Sequence, residues 1–81
     1  MNILFVETSI NPNLGGIERV TYTLSREFEK NGNPCYYAYA REDYDEICEH
    51  KKIKINYSGN FVKLEYTLLN FIRKNNINVI I

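Results

Sequence analysis

The chain switches between two hydrophobic periods. Ile3-Leu4-Phe5-Val6 is an unbroken run of strand-forming residues, the pattern of a strand covered on both faces. From Ile17 the period lengthens: Ile17, Val20, Leu24 and Phe28 fall at i, i+3, i+7 and i+11. Glu18, Arg19, Arg26, Glu27, Glu29 and Lys30 occupy the intervening positions, so the segment predicts an amphipathic helix with those four residues as its apolar face. Asn31-Gly32 supplies the residue type that tolerates a left-handed stop, Pro34 follows, and residues 35–40 resume as a Tyr-rich strand.

Residues 41–50 are polar and acidic, with room for one short helical turn around 45–49. Lys52-Ile53-Lys54-Ile55 alternates at period two, as an edge or half-exposed strand does, and its lysines suit edge protection. Ser58-Gly59-Asn60 carries capping chemistry for a second helix, whose apolar stripe is Phe61, Leu64, Leu68, Phe71 and Ile72. Lys74-Asn75-Asn76 closes that helix, and residues 78–81 open a further strand.

The order β-α-β-β-α-β argues for a parallel α/β sheet with right-handed crossovers. With the strands ordered 3-2-1-4, the two crossovers run in opposite directions and place their helices on opposite faces. A switch point then falls between strands 1 and 4, beside the loop after strand 1. Ligands of open α/β sheets bind at such a crevice.

Composition narrows the reading. At 81 residues there is room for one domain. Ten basic residues balance ten acidic ones, so no charge argument points to nucleic acid. No apolar run approaches the roughly 20 residues that span a bilayer. The N-terminus has no basic segment followed by a small-residue cleavage site, which places the expected compartment in the cytoplasm. Cys35, Cys48 and His50 lack the close ligand pairs of a structural zinc site, so neither a metal nor a disulfide framework is expected.

The candidate chemistry sits at Gly15-Gly16. Glycines at a helix start remove Cβ atoms where a ligand approaches the backbone, and the first helical N–H groups have no partners within the helix. With the positive end of the helix dipole they form a seat for an anion such as phosphate. The bland reading is a tight strand-to-helix turn. Asn13-Leu14-Gly15-Gly16-Ile17-Glu18 is not G-x-G-x-x-G, and no G-K-[ST] is present, so neither common nucleotide fingerprint applies. Ser9 and Ser25 lack a nucleophile-elbow setting. Glu7, at the end of strand 1, is a carboxylate without an evident partner, and no catalytic residue is assigned.

The run from Met1 to Gly32 resembles the start of GT-B-fold glycosyltransferases, specifically the large retaining group called family four. The matching residues are Ile3-Leu4-Phe5-Val6, then Gly15-Gly16-Ile17-Glu18-Arg19-Val20, then Leu24 and Lys30-Asn31-Gly32. The closing "FIRKNNINVII" resembles the family's passage from helix to fourth strand, with Asn78 where Asp is common. The resemblance implies that residues 1–81 are the first half of an N-terminal, acceptor-side Rossmann-like domain. The family's donor-binding domain and Glu-x7-Glu motif lie beyond Ile81, so this stretch alone should not catalyse transfer.

By the same resemblance, the full protein moves a sugar from a nucleotide-sugar donor to a sugar or glycolipid acceptor, without a further cofactor and with peripheral membrane association among its expected properties. Gly15 and Gly16 would approach the donor diphosphate through their backbone, the loop from Ser9 to Leu14, with Ser9 and Asn13, would form part of the acceptor cleft, and Ile17 joins the substrate-binding set. Glu18 and Arg19 match the motif but are expected to serve the helix, an acid in the first turn suiting its dipole. The apolar strand 4 edge leads to an expected homo-oligomer through that edge. Two other classes stay open: a small flavodoxin- or receiver-like phosphate-binding module, and a non-catalytic interaction module using Tyr36, Tyr37 and Tyr39.

Overall fold

The computed structural model describes residues 1–55 and 61–81, with side chains for 1–55 and 66–81. Along the chain come β1 (Ile3–Ser9), α1 (Gly16–Lys30), β2 (Cys35–Glu42), a 3-10 turn (Glu49–Lys51), β3 (Lys52–Lys54), α2 (Phe61–Lys74) and β4 (Val79–Ile80). The strands form one sheet in the order β3-β2-β1-β4, and every neighbouring pair is parallel. This is the α/β arrangement that the alternation of periods predicts, consistent with a partial Rossmann-like fold. The capping residues Ser58, Gly59 and Asn60 and the side chains of Phe61 and Leu64 lie outside the described residues.

β1 divides the core. Ile3 and Phe5 point to one face, where they join Cys35, Tyr37 and Tyr39 of β2 and meet Phe28 of α1. Leu4 points to the other, with Ala38 and Ile55, under Leu68, Phe71 and Ile72 of α2. The two helices therefore cover opposite faces, as right-handed crossovers in opposite directions require. Aromatic rings fill the α1 side: Phe5 stacks on Tyr37 with centroids 5.9 Å apart and lies 6.4 Å from Phe28. Helix ends fall at the residues whose chemistry permits them. Gly32 has φ +84° just after α1, and Asn76 has φ 52° just after α2, both in the left-handed region that ends helices.

One expectation is overturned. The apolar face of α1 does not meet the sheet: Ile17, Val20 and Leu24 are 75%, 66% and 42% exposed, and the buried residues are Thr21 and Ser25. At 3.6 residues per turn, the exposed stripe lies roughly 90° around the helix from the buried one. The reason is volume. Phe5 and Tyr37 fill the layer beneath the helix, and close approach over large rings calls for small helix residues. The polar atoms this brings inside are satisfied locally, since Ser25 Oγ donates to the Tyr22 carbonyl at 2.9 Å. Only Phe28 serves both patterns.

Val20→Gln is therefore expected to change unfolding stability by no more than about 0.5 kcal/mol in urea titrations, as exposed sites do. A core position of that size would lose several times as much.

Candidate functional site at the carboxyl end of β1

β1 runs out at Ser9 into a loop that reaches α1 at Gly16. The loop is fixed at both ends. Ile10 is buried and its N–H donates to the Glu42 carbonyl at 3.2 Å; Asn11 Oδ1 accepts from the Asn13 N–H at 2.9 Å, and its carbonyl accepts from Leu14 at 3.2 Å. Such a side-chain turn is a local use of asparagine that competes with regular structure. It lifts Asn13 and Leu14 into solvent just before the glycines. On the other side of β1, Ile81 continues the β4 ladder, its carbonyl accepting from Val6 N–H at 3.0 Å. The loop thus begins beside the switch point between β1 and β4.

The two glycines differ. Gly15 caps α1 in an extended conformation, and no side chain caps the helix. A Cβ there would lie 2.7 Å from Glu18 Oε2, so the carboxylate of Glu18 folds back against the cap, where a first-turn acid meets the positive end of the dipole. At Gly16 a Cβ would meet nothing within 4 Å. Neither residue has the positive φ that demands glycine. Within a helix glycine costs about 1 kcal/mol relative to alanine, and at Gly16 the fold itself gains nothing for that cost.

The carboxyl end of β1 holds two buried oxygens without partners among the described residues. Ser9 is 7% exposed and its Oγ makes no hydrogen bond; Glu7 Oε2 is likewise buried and unpaired. The other carboxylate oxygen of Glu7, Oε1, accepts from the hydroxyl of Thr21. Burial raises the Glu7 pKa above its ordinary 4.5, the Thr21 hydrogen bond opposes the rise, and the charge of Glu18 adds to it. A raised pKa means the folded state holds the proton more tightly than the unfolded chain. Protonation of Glu7 therefore contributes stability that is fully present below pH 4.5 and is lost as pH rises through the folded value. Glu7→Gln is expected to remove this dependence: its stability relative to wild type should rise across that window when denaturant titrations are repeated from acid to neutral pH.

The five predicted site residues, Ser9, Asn13, Gly15, Gly16 and Ile17, all fall in this loop and the first helical turn. Ser9 is buried at the end of β1, while Asn13 and Ile17 are exposed. Sequence reasoning missed the tie between Glu7 and Thr21, which pairs a strand end with the second turn of a helix and leaves no local signal. Burial pushes the Cys35 thiol up to about 11, which keeps it protonated at neutral pH. His50 sits in the 3-10 turn that leads into β3, at the opposite edge of the sheet from β4. Among the described residues no group of three metal-ligating side chains occurs, and no helix is long and apolar enough to cross a membrane.

No protein-family model, curated protein or solved structure matches this chain.

Proposed function

We propose that these residues form the acceptor-side opening of a GT-B-fold glycosyltransferase, with the Gly15-Gly16 turn set against the diphosphate of a nucleotide-sugar donor. The observation that carries this reading is Gly16: a helical glycine facing open space, in a backbone conformation any residue adopts, at an uncapped helix start beside the switch point. Missing Cβ atoms there serve an incoming group better than they serve the fold. Ser9, whose buried hydroxyl has no partner, and Asn13 supply polar groups on the acceptor side.

Pyrophosphate, titrated while backbone amide resonances are followed, tests the reading. Saturable shifts at Gly15, Gly16 and Ile17 are expected, with a dissociation constant on the order of 1 mM, about 4.1 kcal/mol, of which the helix dipole contributes about 0.3–1 kcal/mol and hydrogen bonds from the free N–H groups of the turn the rest. Gly16→Val should weaken binding about tenfold. Glu18→Gln should strengthen it severalfold, since the carboxylate folded against Gly15 repels an incoming anion. Unmoved loop amides at about 10 mM pyrophosphate, ten times the expected constant, remove the proposal.

A second reading, a non-catalytic interaction module, is favoured by the exposed stripe of α1 rather than by the Tyr-rich strand. Tyr37 and Tyr39 are buried, and Tyr36 sits edge-on to Phe71 with centroids 6.1 Å apart, so those rings are core packing.

A further inference from the structure

We infer that the outer face of α1 is a self-association surface, and that its occupant is a second copy of this chain packed antiparallel about a two-fold axis at Thr23. The position of the stripe is the first reason. One flank of α1 is engaged by residues 43–51: Tyr22 meets Tyr44 edge-on at 5.7 Å, and Glu29 pairs with Lys51 at 2.7 Å. Ile17, Val20 and Leu24 are exposed on the helix surface away from that flank. Nothing among the described residues covers them. Val20 and Leu24 line a shallow groove along the helix with Gly16, Arg19, Thr23 and Glu27.

The charges of that groove are the second reason. A two-fold interface must be self-complementary, each residue meeting its counterpart's partner. Arg19 and Glu27 stand four residues before and four after Thr23, on one side of the stripe, and neither side chain forms an ion pair among the described residues. In an antiparallel pair centred on Thr23, each Arg19 comes level with the partner's Glu27, and Val20 and Leu24 fall about 3 Å along the axis, within one helical turn, from the partner's Leu24 and Val20. Thr23 and Gly16 are small enough to let the helices approach to the usual 8–10 Å. The chain carries no net charge to oppose pairing. The groove faces away from the sheet, so the two sheets stand clear of each other.

The β4 edge is the weaker surface. Val79 and Ile81 already bond to β1, through Asn2, Leu4 and Val6, which leaves Ile80 alone with N–H and C=O turned outward. Two copies paired there would exchange two backbone hydrogen bonds, far short of the area of a specific interface.

Sedimentation equilibrium of the 81-residue chain from about 10 µM to 1 mM, the range in which so small an apolar contact associates, is expected to show a monomer–dimer equilibrium. Val20→Glu should weaken it about tenfold or more, corresponding to 1.4 kcal/mol. Arg19→Glu should weaken it as well, and combining Arg19→Glu with Glu27→Arg should restore it. Ile80→Lys should leave it unchanged. All four positions are exposed, and circular dichroism verifies that each variant is folded. A monomer throughout that range overturns the inference. A dimer indifferent to Val20→Glu, one not restored by the double charge exchange, or one abolished by Ile80→Lys does so equally.

Discussion

Phe5→Ala is expected to lower the stability of the fold by about 3–5 kcal/mol, the range found when a fully buried ring is truncated. Phe5 is 2% exposed, stands in the central strand pair, and is the ring that joins Tyr37 of β2 to Phe28 of α1. Its neighbours cannot close the gap readily. Tyr37 is held in β2 and Phe28 in α1, and the helix residues above the ring layer, Thr21 and Ser25, are too short to reach down. A chain of this length has roughly 4–12 kcal/mol in total, so the variant should lose a large part of its margin. For a domain of this size each kcal/mol corresponds to about 4–8 °C, which puts the expected fall in melting temperature at roughly 15–30 °C by calorimetry. Phe5→Leu, which keeps most of the volume, should lose only about 1–1.5 kcal/mol. Equal losses for the two variants would mean that ring stacking, not volume, holds this layer together.

The contrast between Phe5 and Val20 shows what was legible in the sequence. Strand residues announce themselves by continuous or alternating apolar character, and Ile3, Leu4, Phe5, Cys35 and Ala38 are all buried as that rule expects. The order of periods also determines the topology, because a helix between parallel strands can cross in only one hand. Leu68, Phe71 and Ile72 of α2 meet the sheet as their spacing predicts. In α1 the same rule places the stripe on the wrong side. Periodicity reports which residues of a helix are apolar, not which surface they will meet, and here bulky rings on the strands select the small residues of α1. β1 is longer than its apolar run for a related reason: Glu7, Thr8 and Ser9 continue as strand past Val6, and a register shift against β2 between Glu7 and Ser9 marks where the pairing loosens toward the site. The glycines drew attention to the loop between β1 and α1. The orphaned oxygens of Ser9 and Glu7 arise from tertiary burial, which no local pattern encodes.

The edge lysines are the other instructive case, and they carry the second large effect. Lys54 is exposed, as an edge-protecting residue should be, but the Lys52 side chain is only 2% exposed. Its ammonium lies 2.8 Å from Asp43 Oδ1, 3.1 Å from the Tyr44 carbonyl and 3.4 Å from Glu49, pinning the segment between β2 and β3 onto the sheet edge. Burial alone lowers the Lys52 pKa, but Asp43 and Glu49 outweigh it and leave it raised. The Lys52 hydrogen bond holds Asp43 below its ordinary 3.8, with the Tyr44 N–H, 2.6 Å away, contributing further. Removing one member of such a group costs more than replacing the buried ion by an apolar residue of like length, because the first leaves a desolvated charge underpaired. Asp43→Ala is therefore expected to cost about 1–3 kcal/mol, toward the lower figure because the carboxylate is partly solvated and salt screens it. Lys52→Met should cost less than about 1 kcal/mol, since Asp43 then turns to water and to the Tyr44 N–H. The sign with pH follows from the depressed carboxylate. Its stabilisation is present above pH 3.8 and lost as pH falls through the lower folded value, so the Asp43→Ala deficit should be full at neutral pH and vanish in acid. Urea titrations of both variants at two pH values decide the matter. A Lys52→Met variant less stable than Asp43→Ala at neutral pH would show that the clamp is worth more than its ion's desolvation, and that this strap is held to the sheet by charge rather than by packing.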